Sequence, residues 1–145
     1  MERIDYRKFG RAGFQLLGQL SDLNKKSSLG LVLIELVKLR ASQINHCANC
    51  VTMHANVLRK EGESEERLQS VVVWEEATCF NAREKAAFAW TEAVTLVADT
   101  GVPDEVYEQA QAQFSEQELV DLTLAITTIN AHNRLAVAFR RVPGS

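Results

Sequence analysis

The chain has 145 residues, 46% of them hydrophobic and 24% charged, which is the size and apolar content of one globular domain with a sizeable core. Sixteen Lys and Arg against nineteen Asp and Glu leave a net charge of −3, so no electrostatic footprint marks nucleic acid or an anionic membrane as a partner. The longest apolar run, Leu29 to Ile34, is broken by Glu35, far short of the ~20 residues of a membrane span, and Met1 to Asp5 carry mixed charges with no apolar leader; the expectation is a cytoplasmic protein.

Two prolines and seven scattered glycines give too little punctuation for a domain of many short strands. No pattern recurs at a period of repeat proteins and no stretch is low in complexity. The expectation is a single all-α domain over residues 1–145, built from six or seven helices.

From Tyr6 to Leu23, the residues Tyr6, Phe9, Phe14, Leu17, Leu20 and Leu23 fall three to five apart and read as one helical stripe, weakened by Gly10, Gly13 and Gly18. Ser27 or Ser28 would cap a second helix, apolar nearly all round through Leu31–Val37, and hence buried on most sides. A third helix starts at about Cys47 and runs to about Lys60, with Gly62 as its stop. Ser64, followed by Glu65 and Glu66, opens a short helix through Val73. Asn81 and Glu84 have capping-box spacing ahead of a helix over 82–98. Pro103 suits the first position of a helix to Gln113, and Ser115 with Glu118 is a second capping box, opening a long helix to about Arg140. So much apolar helix surface exceeds what one simple bundle covers, which points to an oligomer.

The chemistry gathers between residues 35 and 54. Cys47-Ala48-Asn49-Cys50 is a Cys-x-x-Cys at a helix start, where residues three apart share a face and the two sulfurs can meet in a disulfide. Unpaired N–H groups and the dipole at such a start favour thiolate, and by position alone Cys47 would be the more acidic thiol. His54, four residues after Cys50, lies one turn along the same face and can take the thiol proton. Glu35 interrupts an otherwise apolar helix, and a buried glutamate needs a partner. That partner is His54 on the next helix, or else Lys38 or Arg40 at the helix edge. A zinc-stabilised module without turnover is the competing reading of the two cysteines, with His46, His54 or His132 completing the shell. Against it, no second ligand pair has similar spacing. Cys79 reads as an inert buried thiol, and His132 as structural.

The string Ser42-Gln-Ile44-Asn45-His46-Cys47-Ala-Asn-Cys50-Val-Thr-Met-His54, with Glu35 ahead of it, resembles the active-site segment of the alkyl hydroperoxidase D-like branch of the carboxymuconolactone decarboxylase family. Trp74-Glu75-Glu76, Phe88–Ala93 and Ile129–Arg134 resemble it too. The resemblance implies an all-helical fold assembled as trimers or hexamers, with the site between the second and third helices. It also implies a thiol peroxidase without a bound cofactor or metal: Cys50 as peroxidatic thiol activated through His54 and Glu35, and Cys47 as the resolving thiol. A small organic hydroperoxide would be the substrate and an external dithiol, of lipoyl or thioredoxin type, the reductant. Two departures stand out. Alkyl hydroperoxidase D has a histidine where this chain has Asn49, and many relatives have glycine where this chain has His46. A lactone decarboxylase using Glu35 and His54 is a further alternative, although family members with that activity lack the paired cysteines.

Overall fold

In the computed structural model, which describes residues 1–145, nine α-helices and one 3-10 turn follow one another with no strand. In chain order they are α1 (Tyr6–Phe9), α2 (Arg11–Lys25), α3 (Leu31–Ile44), α4 (Ala48–Lys60), α5 (Glu65–Ser70), the 3-10 turn Val71–Val73, α6 (Ala82–Thr95), α7 (Val97–Thr100), α8 (Asp104–Gln113) and α9 (Glu116–Ala138).

The helix starts follow side-chain chemistry. Both capping boxes form: Asn81 and Glu84 exchange side-chain and backbone bonds at α6, as do Ser115 and Glu118 at α9. Each closes two otherwise orphaned N–H groups, and such a cap contributes about 1 kcal/mol. Ser64 caps α5 alone, through the N–H of Arg67.

Five boundaries differ from the sequence expectation. The stripe over 6–23 is two helices, because the Gly10 N–H closes α1 on the Tyr6 carbonyl before α2 begins; a Cβ at Gly10 would lie 3.0 Å from that oxygen. α3 is preceded by Gly30 at φ 87°, with neither Ser27 nor Ser28 as its cap. The helix over 82–98 breaks at Leu96, and the one-turn α7 follows. Pro103 is the cap residue of α8 and not its first helical residue, and α9 stops at Ala138, where Arg140 turns left-handed at φ 56° and the Arg141 N–H bonds the Ala136 carbonyl.

α3 is the central element, packed against α4, α6 and α9. One face sends Ile34 and Val37 into a core shared with Ala87 and Trp90 of α6, Ala110 of α8, and Leu122 and Ile126 of α9. Its other face sends Leu36 and Leu39 against Leu58, Leu68, Phe80 and Phe88. A helix buried on both sides must be apolar around its circumference, which is what residues 31–39 are except at Glu35 and Lys38. Burial of each such aliphatic side chain contributes about 1.5–3 kcal/mol. No helix is long and apolar enough to cross a membrane.

Candidate active site

The α3–α4 junction is a tight turn in which one residue serves both helices. His46 takes a left-handed conformation at φ 55°, its N–H bonds the Gln43 carbonyl, and the Cys47 N–H reaches back to the Ser42 carbonyl. That is a Schellman ending for α3. Cys47 is at once its last hydrogen-bonding residue and the N-cap of α4, its sulfur accepting from the Cys50 N–H at 3.3 Å. The left-handed position is one that glycine fills without strain.

Polar bonds fix this turn to α9. Buried Ser42 donates to the Lys38 carbonyl at 2.7 Å and accepts from Asn133 Nδ2 at 3.0 Å. Asn45 Nδ2 donates to Asn130 Oδ1 and Asn133 Oδ1 at 2.9 and 3.0 Å. In a buried site such a network has value only when each member is satisfied, and these asparagines satisfy one another.

Cys47 and Cys50 are joined in a disulfide with Cα atoms 5.3 Å apart. Both residues are only 2% exposed, and Ala136 of α9 packs against them. One turn along α4, His54 is buried and its Nδ1 lies 2.5 Å from Glu35 Oε2 of α3. Glu35 therefore pairs with His54 and not at the helix edge; Arg40 instead bonds Glu92. The two remaining polar atoms of the couple, Glu35 Oε1 and His54 Nε2, are buried without partners. Burial pushes the Glu35 carboxyl up, yet the hydrogen bond from His54 and the charges of His54, Lys38 and Lys25 outweigh it and leave the group below its ordinary value. Glu35 is thus a carboxylate that accepts from His54 Nδ1, the arrangement in which a neutral imidazole has its acceptor at Nε2.

Lys38, one turn after Glu35 on α3, is 1% exposed. Burial pulls its ammonium down to about 8, against the upward pull of Glu35. The sequence reading weighed Lys38 only as an alternative partner for Glu35 and missed its burial; the available signal was a second charge in a helix apolar all round.

The other chemistry-bearing residues lie elsewhere. His46 is exposed at the turn. His132 faces Ser21 Oγ at 3.3 Å and the edge of Phe14, and burial lowers its pKa, so it stays neutral at physiological pH. Cys79 is a free thiol and half-buried, not the buried one expected, because it sits in the loop before α6, where the Arg67 guanidinium bonds its carbonyl. No group of three or more His, Cys, Asp and Glu side chains is arranged to hold a metal ion. An apolar groove of about 910 Å3 lies between the first two helices and the C-terminal part of α9, bounded by Phe9, Phe14, Leu17, Leu135 and Phe139, and none of the four candidate site residues lines it.

An all-helical fold with a cysteine pair and a glutamate–histidine couple at one helix junction defines a class, and the comparisons agree with it. Residues 11–93 match the model of the carboxymuconolactone decarboxylase family. The chain belongs to that family. It is 36% identical over 137 residues to the uncharacterized protein YdfG of Bacillus subtilis (strain 168), covering 94% of this chain and 93% of that one. A solved structure from Agrobacterium tumefaciens, of a protein of unknown function provisionally named the antioxidant defence protein AhpD, superposes with a TM-score of 0.96 at 40% identity, over 100% of this chain and 99% of that one. This agrees with the resemblance to the alkyl hydroperoxidase D-like branch. An uncharacterized peroxidase-related protein from Silicibacter sp. TM1040 shares the fold at a TM-score of 0.81 and 18% identity, over 90% of this chain and 70% of that one.

Proposed function

We propose that this protein is a thiol-dependent hydroperoxide reductase in which Cys50, Cys47, His54 and Glu35 carry the reaction. The observation that carries the reading is the Glu35–His54 bond one helical turn from a cysteine pair already close enough to be joined. His54 Nε2 takes the Cys50 proton, and Glu35 supports the imidazolium that results. The thiolate attacks the O–O bond of an organic hydroperoxide; Cys50 becomes a sulfenic acid, and the other oxygen leaves as alcohol with the proton from His54. The Cys47 thiol then displaces water from the sulfenic acid and closes the disulfide. An external dithiol, of lipoyl or thioredoxin type, returns both cysteines to thiols and is itself oxidised to a disulfide. The names of the Agrobacterium and Silicibacter relatives support this class of activity.

The test is the intact mass of the reduced, metal-free protein before and after one equivalent of cumene hydroperoxide, followed over seconds. Loss of two hydrogens in the wild type, absent in Cys50→Ser, is the expected result. No change over minutes in the wild type overturns the reading, and metal analysis and lactone substrates then separate the zinc and decarboxylase alternatives.

We also propose that the protein works as a homo-oligomer, a trimer or hexamer. Phe9, Leu16 and Leu23 on the first two helices and Val120 and Leu124 on α9 are large apolar residues left exposed. A monomer in analytical ultracentrifugation would remove this proposal.

A further inference from the structure

We propose that Lys38 is a positioning residue for the Glu35–His54 couple: its buried ammonium balances the Glu35 carboxylate, so that His54 stays neutral and free to accept a proton at Cys50. The inference rests on the reading of that couple given above and adds a residue to it.

The geometry is that of one helix face and its surroundings. Glu35 and Lys38 are three apart on α3, hence neighbours on its surface, and they are the two charged side chains on the stretch of α3 enclosed by α4, α6 and α9. Lys38 makes no direct ion pair with Glu35 and acts on it through space. The titratable groups around Lys38 can be named element by element. α3 contributes Glu35. α2 contributes Asp22 and Lys25, an exposed pair of opposite sign that cancels at the edge of the site. α9 contributes His132, which is neutral, and α4 contributes His54, which faces Glu35.

Charge counting then decides the protonation of the couple. With Lys38 charged, an ionised Glu35 and a neutral His54 make a buried cluster with no net charge. Without Lys38, the same protonation state would leave one negative charge uncompensated among apolar side chains, a condition that burial penalises heavily. The cluster would regain neutrality by binding one proton, shared between Glu35 and His54. A protonated His54 cannot take the proton of Cys50. Lys38 thus keeps the base available without touching either cysteine or the substrate.

The experiment compares wild type, Lys38→Met, Lys38→Gln and Lys38→Arg, each fully reduced. The protonation and tautomer of His54 are read from imidazole 15N shifts across pH, and the rate of cumene-hydroperoxide-driven disulfide formation is followed in parallel. Met and Gln, which fill the space without charge, should raise the pH midpoints of both by about one unit or more, and Arg should hold them near wild type. Unchanged midpoints in Met and Gln, whatever happens to thermal stability, would show Lys38 to be structural only and overturn the inference. The imidazole readout needs no turnover. If wild type fails to react with peroxide, the functional reading falls while the titration still decides the role of Lys38; if wild type reacts and the titration does not move, only Lys38 falls.

Discussion

His54 Nδ1 and Glu35 Oε2 are 2.5 Å apart across the α3–α4 interface, with neither side chain more than marginally exposed. A bond to a charged carboxylate in such surroundings is stronger than its counterpart in water, and it fixes the tautomer of His54. Replacement of Glu35 by Gln keeps the shape and removes the charge. We expect Glu35→Gln to slow peroxide-driven disulfide formation by about 10²-fold, measured by quenched-flow mass analysis, with Cys50→Ser as the inactive reference.

The same substitution has a signature in stability against pH. Glu35 is held below its ordinary value in the fold, so the unfolded chain binds its proton first as the solution is acidified. The stabilisation is present above the unfolded value and is lost as pH falls through the folded one. Urea unfolding between neutral pH and pH 3 should show a steeper decline for wild type than for Glu35→Gln.

Lys38 acts at the alkaline end with the opposite sense. Its ordinary value of 10.5 is lowered by burial to about 8, so the unfolded state binds the proton more tightly than the folded state over that window. Stability therefore rises as pH climbs from about 8 to about 10.5, by an amount on the order of 3 kcal/mol. Denaturation at pH 7.5, 9 and 10.5 checks this by difference, because Lys38→Met should lack the rise.

Asn133 is fully buried and serves two partners, Ser42 and Asn45. Asn133→Ala removes both bonds and strands polar atoms at the turn that carries Cys47. A loss of about 1–3 kcal/mol follows from leaving such groups unpaired, and chemical denaturation measures it. A value near zero would mean that water replaces the amide at no cost.

The left-handed His46 gives a prediction of stabilisation. His46→Gly relieves the Cβ crowding of that conformation, against the greater freedom of glycine in the unfolded chain. The net gain should be about 0.5–1 kcal/mol, visible in the melting temperature, without moving the disulfide.

How much of this was legible beforehand depended on how local its cause is. The capping boxes at Asn81 and Ser115 were readable because four consecutive residues contain the whole interaction. The pairing of Glu35 with His54 was readable because a lone acid in an apolar helix demands a partner, and the histidine periodicity put one on the next helix. The break at Leu96 was not readable, since the apolar repeat runs through it. Lys38 was named for the wrong reason: sequence placed it at a helix edge, while the packing of α4, α6 and α9 around α3 made it part of the interior. The asparagine network joins residues up to 91 positions apart, and no pattern within either segment announces the other.

Cys47 ends one helix and begins another, and its sulfur is the acceptor at that beginning. Conversion of the dithiol to the disulfide consequently exchanges a thiol, able to carry negative charge, for a neutral sulfur at the positive end of α4. If the pair cycles as proposed, each turn of the cycle also changes how well a helix is started. A dithiol form with the better acceptor would gain stability that the disulfide form lacks, the arrangement that makes other dithiols at helix starts strong oxidants. Melting the two forms side by side at pH values above and below thiolate formation would display that coupling as a gap that opens with pH.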